Sequence, residues 1–307
     1  MDFKLDIDTL INFLSGYLHG KVKALKLSVI ALLADGHLLI EDLPGVGKTT
    51  LALALARCFG LDFARIQATS DLLPSDITGV SIYNKTTGEF EFRPGPIFRN
   101  IVLVDEINRA TPKTQSALLE AMGEKQVTVE GKTYKLPQPF FVIATQNPIE
   151  LYGTFPLPEA QLDRFIMKIS IGYPPRSAEK EILKGGSKRE ELHNIKPFLS
   201  KDDILFIQNQ VKEIYISDKI TEYILDIVSA TRKSKYLHAG LSTRGALAIV
   251  ATAKANAYLN KRDYVIPEDI KELAEFVITH RVIFKEEYEG SKREIIKSLV
   301  ESIKTPV

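Results

Sequence analysis

Two short runs carry residue types that could handle phosphate. In Asp42-Leu43-Pro44-Gly45-Val46-Gly47-Lys48-Thr49-Thr50, two glycines precede a lysine and a threonine. Glycines there let backbone N–H groups turn inward around an anion, the lysine adds a point charge, and the Thr49 hydroxyl suits a magnesium ion. In the second run, Asp105-Glu106 closes the apolar stretch Ile101-Val102-Leu103-Val104. Phosphoryl transfer to water needs a cradle, a metal ligand, a group that orients the water and cations for the transferring charge. Lys48 and Thr49 meet the first needs, Asp105 is placed to hold magnesium through water, and Glu106 to polarise the attacking water.

These residues work only if the chain around them forms the right elements. Leu38 to Ile40 suit a buried parallel strand, and Leu-Ala-Leu-Ala-Leu-Ala-Arg after Thr50 is strongly helix-forming, so the glycine loop opens a helix N-terminus that favours negative charge. Asp42 departs from the general spacing, standing where its first glycine belongs. Ile101 to Val104 reads as a strand buried on both faces, and Phe140 to Thr145 as another, so Asn147 emerges at the same sheet edge as Asp105. An amide there is placed to bond a terminal phosphate and the attacking water. Asn147-Pro148 is equally an ordinary turn pair, and spacing does not separate the two.

Helical periodicity marks Ile7 to Leu18 and Lys21 to Ala34, with Gly36 as the expected stop, and Pro112 to Met122 further on. Asp62 to Gln67 reads as a strand, Ala68 to Thr78 as a polar loop, and Ile166 to Ile171 as the last apolar strand. Hairpin patterning surrounds Lys85-Thr86-Thr87-Gly88 and Gly131. Alternating strands and helices imply a parallel sheet covered on both faces. After Tyr173-Pro174-Pro175 everything reads as helix, with Gly185 to Asn194 as a mobile connection. The expected division is an α/β domain over residues 1–174 and an all-α domain over 175–307.

The 45% hydrophobic and 26% charged content is that of a globular protein, and a formal net charge of +1 draws the chain to neither nucleic acid nor an anionic membrane. Cys58, the one cysteine, leaves no internal disulfide or thiolate cluster. The apolar stretch near Leu27 to Ala34 is far short of the roughly 20 residues that span a bilayer, and acidic residues replace a basic leader, so no membrane insertion and a cytoplasmic location are expected.

The sequence resembles the MoxR group of AAA+ ATPases. The resemblance rests on the glycine loop, on Arg65-Ile66-Gln67 with Asp71 to Gly79, and on Gly95-Pro96-Ile97-Phe98. It extends through Val104 to Ala110, Pro112 to Met122, Ala144 to Pro148 and Leu157 to Phe165. It covers nearly the whole chain, and Asp42 is common in such loops. Gly123 stands where the family more often has glutamate. The resemblance implies an AAA+ P-loop NTPase fold, a parallel-sheet nucleotide-binding domain followed by an all-α lid, and ATP with Mg2+ as cofactors. Asp42, Pro44, Gly45, Val46, Gly47, Lys48, Thr49, Thr50 and Asp105 would then bind nucleotide, with Thr49 and Asp105 on the metal. Asn147 looks like sensor 1, Arg164 like the finger that reaches a neighbour's γ-phosphate, and Arg244 like sensor 2; Arg109 and Arg99 are rival cross-subunit cations. Glu106, Asn147, Arg164 and Arg244 form the implied catalytic set.

A homo-oligomeric ring, expected as a hexamer, follows from the same resemblance, as does chaperone-like remodelling or maturation of a client, such as one with a von Willebrand factor A domain. The two hairpins match insertions of this branch, one within the second helix and one before sensor 1, whose tips either touch a client or stiffen the subunit. A nucleic-acid motor is the alternative, disfavoured by the balanced charge; an intact Glu106 argues against a slowly hydrolysing switch. Asn84-Lys85-Thr86-Thr87 resembles a guanine-reading motif only superficially, lacking its aspartate.

Overall fold

The computed structural model describes residues 6–149, 153–186 and 190–306. Helices α1 (Ile7–Ser15) and α2 (Val22–Leu33) lead into β1 (Leu38–Glu41), and α3 (Lys48–Cys58) follows the glycine loop. Next come β2 (Phe63–Gln67), the short α4 (Pro74–Thr78), the hairpin β3 (Gly79–Asn84) with β4 (Glu89–Pro94), and β5 (Ile101–Asp105). Then α5 (Pro112–Glu124), the hairpin β6 (Gln126–Val129) with β7 (Lys132–Lys135), β8 (Phe141–Gln146), α6 (Glu159–Leu162) and β9 (Met167–Ile169) complete the sheet region. Beyond it lie α7 (Arg176–Gly185), α8 (Lys201–Glu213), α9 (Asp218–Lys233), β10 (Leu237–Ala239), α10 (Thr243–Leu259), α11 (Pro267–Ile278), β11 (Ile283–Phe284) and α12 (Lys292–Glu301).

The five-stranded sheet runs in the order β2-β5-β8-β1-β9, and every pair is parallel. The apolar runs explain why it is sandwiched. Leu38, Ile40, Leu103 and Ile143 face a core shared with α1, α2, α3 and the later helices, whereas Leu39, Val102, Val104 and Val142 face one shared with α5. Successive side chains on a strand point to opposite faces, so an uninterrupted apolar run serves two cores. The carboxyl ends of β1, β5 and β8 meet at one edge, in the register that sets Ile40 opposite Thr145 and Val104 opposite Ala144.

Several details differ from the sequence reading. The segment expected as a polar loop contains α4, begun by Pro74 at a first-turn position and by Asp76 accepting from the Leu73 N–H at 2.8 Å. The first hairpin follows α4, and residues 95–100 after it form turns and bends, so it does not interrupt a continuing helix. The helical region carries one small antiparallel pair, β10 with β11, too short for periodicity to reveal. The stop after α2 is Asp35, which takes the left-handed conformation at φ 56°, while Gly36 is required by packing: a Cβ there would lie 2.4 Å from Ile166. Of the expected connection from Gly185 to Asn194, residues 187–189 lie outside the described residues, and Glu190–Asn194 forms a 3-10 helix.

His37 locks β1 to its neighbours from a fully buried position. Its Nδ1 accepts from the Val142 N–H at 3.1 Å, so Nε2 carries the proton and donates to the Met122 carbonyl at 3.1 Å. Burial pulls its imidazole from 6.5 down to about 4, against the Met122 carbonyl, which raises it. The folded state therefore holds His37 neutral where the unfolded chain protonates it. Stability is full above pH 6.5 and falls as pH drops toward about 4, by about 3 kcal/mol. Urea unfolding at about pH 7 and about pH 5 checks this: the fall in midpoint should be smaller in His37→Gln than in the parent, and an equal fall would contradict it.

Candidate active site

A cleft of about 310 Å³ opens at the carboxyl edge of β1 and β5, lined by Pro44, Gly45, Gly47, Lys48, Thr49, Thr50, Arg65, Gln67, Asp105, Glu106 and Thr145. Gly45 and Gly47 hold φ angles of 83° and 100°, which side chains with a Cβ rarely adopt, and these turns deliver the loop to the start of α3. The free N–H groups of that first turn and the Lys48 ammonium make one wall electropositive. Burial pulls the Lys48 ammonium below its usual value, against Asp42, Asp105 and Glu106, which raise it. Its Nζ donates to the Asp42 carbonyl at 2.7 Å.

Two loop residues expected at the nucleotide, Asp42 and Val46, turn their side chains away from the cleft. The Asp42 carboxylate does not line the cleft but points to the exit of β9, where Oδ2 accepts from Ser170 Oγ at 3.0 Å, Ile171 N at 2.6 Å and Gly172 N at 2.7 Å. Oδ1 accepts from Leu43 N at 3.0 Å. Burial pushes this carboxyl up, but the donors together hold it below its usual value. Val46 also leaves the cleft, its side chain being buried in the fold.

The opposite wall is acidic and tightly restrained. Glu106 sits in the left-handed region at φ 57°, a conformation that costs a residue with a Cβ about 1–3 kcal/mol and clusters at functional positions. Its N–H donates to Thr145 Oγ1 at 2.9 Å, and that hydroxyl lies 3.4 Å from Asp105 Oδ1. Glu106 Oε2 accepts from Gln67 Nε2 at 3.2 Å and from Arg109 Nη1 at 3.1 Å. Asp105 Oδ2 accepts from Arg65 Nε at 2.7 Å. A threonine hydroxyl on one wall and a carboxylate on the other are hard oxygen donors, the set that suits magnesium.

Asn147, Arg164 and Arg244 do not line this cleft. Asn147 follows β8, and its Oδ1 accepts from the Ile149 N–H at 3.2 Å, so the turn reading of Asn147-Pro148 holds for that oxygen. Arg164 follows α6 and donates Nη1 to the Leu119 carbonyl of α5 at 3.1 Å. A Cβ at Gly123 would lie 2.2 Å from Arg164 Nη1, so the guanidinium would have to shift. Arg244, in the first turn of α10, is half-exposed with Nε 3.8 Å from Asp163 Oδ2, while buried Arg281 holds Asp163 Oδ1 at 2.8 Å. Of the rival cations, Arg109 is engaged with its own Glu106 and Arg99 is exposed. Arg65, Gln67 and Thr145 are the site residues that sequence reasoning assigned no role; polar side chains on strands otherwise rich in apolar residues were the available signal.

The geometry generates a binding prediction. Lys48→Ala removes the cleft's point charge and one hydrogen bond to a carbonyl, so affinity for a fluorescent ATP analogue should fall at least about tenfold while the thermal midpoint changes little. Unchanged affinity would contradict the cradle.

Comparison with known proteins bears on the same residues. The family described as "ATPase family associated with various cellular activities (AAA)" matches residues 37–167, and an AAA lid domain matches 229–299. Protein YeaC of Bacillus subtilis, described as uncharacterized, is 52% identical over 94% of this chain and 91% of its own. Chaperone MoxR1 of Mycobacterium tuberculosis is 40% identical over 92% of this chain and 76% of its own. The crystal structure of a candidate ATPase from Cytophaga hutchinsonii superposes with a TM-score of 0.90 at 40% identity, covering 99% of this chain and 96% of that one. With the glycine loop, the restrained acid pair and the β2-β5-β8-β1-β9 sheet already in place, these likenesses make the chain an ATPase of the MoxR family of AAA+ proteins.

Proposed function

We propose that the cleft binds Mg–ATP and hydrolyses it within a homo-oligomeric ring, a hexamer, whose cycle remodels or matures a client protein. The observation that carries the reading is the convergence of Lys48 and Thr49 with Asp105 and Glu106 across one cleft. Thr49 and Asp105 would hold the magnesium ion, which would supply positive charge against the phosphate oxygens during the transfer. Glu106 orients the attacking water, its carboxylate aimed by the left-handed backbone, and the Asn147 amide lies at the same sheet edge. Outside their own cleft, Arg164, bonded to the Leu119 carbonyl of α5, acts as the finger on a neighbour's nucleotide, and Arg244, beside Asp163 at the start of α10, acts as sensor 2. A cation supplied only on assembly couples hydrolysis to the ring.

The division of labour we propose is a nucleotide-binding part over residues 1–174 and a lid over 175–307. The first hairpin suits contact with a client or a neighbouring subunit: Val80, Ile82, Tyr83 and Phe90 are exposed apolar side chains on it. Its base is stiffened where Phe92 stacks on Tyr134 of the second hairpin, ring centres 4.1 Å apart. A client carrying a von Willebrand factor A domain fits the family resemblance, and a cytoplasmic setting suits an ATP-driven cycle. Among the described residues, no helix is long and apolar enough to cross a membrane.

Glu106→Gln should bind ATP with near-parental affinity yet turn it over at least about a hundredfold more slowly, measured as phosphate release; parental turnover would remove Glu106 from the role. In the same assay, Lys48→Ala and Arg164→Ala subunits, each inactive alone, should recover activity when mixed into one assembly. Mixed assemblies without recovery would contradict an arginine acting across the interface.

A further inference from the structure

Strand β2 presents Arg65 and Gln67 on one face, two residues apart, at the edge where the sheet meets the cleft. The parallel register sets Gln67 opposite Asp105 and Arg65 opposite Leu103, so the longer arginine side chain is the one that reaches forward to the carboxylate. Arg65 Nε lies 2.7 Å from Asp105 Oδ2, the side chains being 47% and 10% exposed respectively. The other carboxylate oxygen faces the Thr145 hydroxyl at 3.4 Å. Asp105 thus meets a protein cation on the oxygen that Thr145 leaves open.

We propose that Arg65 is a positioning residue that serves as the resident counter-cation of Asp105 and is exchanged for the metal when Mg–nucleotide enters. The inference rests on the reading of Asp105 as a magnesium ligand and adds what holds that ligand beforehand. Three features suit an exchangeable cation. The guanidinium is half exposed, so it swings into solvent at small cost, whereas the carboxylate is nearly buried and needs a positive partner in either state. The arginine's remaining hydrogen bond, Nη2 to Gln67 Oε1, is long at 3.5 Å and does not anchor it. Lys48, the other cation lining the cleft, is committed to the Asp42 carbonyl at 2.7 Å and to the phosphates the cleft would hold. A guanidinium on Asp105 also stops the two adjacent acids from repelling one another while no metal is bound.

Exchange makes Arg65 a competitor of magnesium, which sets the sign of the test. The chain has no tryptophan, so a fluorescent ADP analogue supplies the signal while Mg2+ is titrated into the full-length protein. Arg65→Met should reach half-maximal magnesium-dependent binding at about two- to fivefold lower Mg2+ than the parent, the release of a half-exposed pair worth up to about 1 kcal/mol. Arg65→Lys, which keeps the charge, should return toward the parental requirement. In side-chain nitrogen NMR, the Arg65 Nε–H signal, assigned by its loss in Arg65→Met, should be protected from exchange without nucleotide and with ADP in EDTA, and lose protection with Mg–ADP. An unchanged or raised magnesium requirement in folded Arg65→Met, or protection that persists with Mg–ADP, would overturn the exchange. Nucleotide binding by the parent that ignores magnesium would overturn the metal reading itself, and with it the exchange.

Discussion

A single carboxylate braces the nucleotide loop from behind. Asp42 takes four hydrogen bonds, from the N–H groups of Leu43, Ile171 and Gly172 and the Ser170 hydroxyl, and its own carbonyl takes the Lys48 ammonium. A buried carboxylate is tolerated only when its lone pairs are satisfied, and here donors on both sides do so. Lys21, which donates to the Gly172 carbonyl, adds a cation on the same side. The loop that would cradle phosphates is thereby tied to the turn by which the chain leaves β9 for the helical region. A glycine at position 42 would leave the N–H groups of Ile171 and Gly172 without this acceptor, which is a physical reason for the departure from the general spacing.

The cleft is a balance of opposed charges, each restrained by a protein partner. Lys48 rests on a carbonyl of β1's exit, Asp105 on Arg65 of β2, and Glu106 on Gln67 and Arg109, with Thr145 of β8 bonded to the acid pair. Two of these partners stand in for a ligand's charge. The carbonyl occupies the lysine as an anion would, and the guanidinium occupies the aspartate as a cation would. A cleft so arranged is preorganised in position while its charges remain available for exchange, and that combination suits a site that must bind and release at each cycle.

Much of this was legible in the residues. Gly45, Gly47, Lys48 and Thr49 announced the loop because backbone freedom and charge are local properties, and the apolar runs ending in Asp105 and Thr145 announced buried strands by their lack of alternation. What stayed hidden depends on contacts distant in sequence. The role of Asp42 lies in its reach to residues 170–172, and that of Gly36 in Ile166. Arg65 and Gln67 read as polar strand residues until the β2–β5 register brings them to Asp105 and Glu106. The pair β10 and β11 is too short for any period to register.

The central claim is that Lys48 exchanges the Asp42 carbonyl for phosphate while Asp42 keeps its hold on the β9 exit. A crystal structure with Mg2+ and a non-hydrolysable ATP analogue tests it directly. The account predicts the β- and γ-phosphates in the turn from Gly45 to Thr49, Lys48 Nζ moved onto their oxygens, and the Asp42 carboxylate still bonded to Ser170, Ile171 and Gly172. An analogue bound elsewhere, or Lys48 still on the Asp42 carbonyl with the phosphates in the cleft, would contradict it.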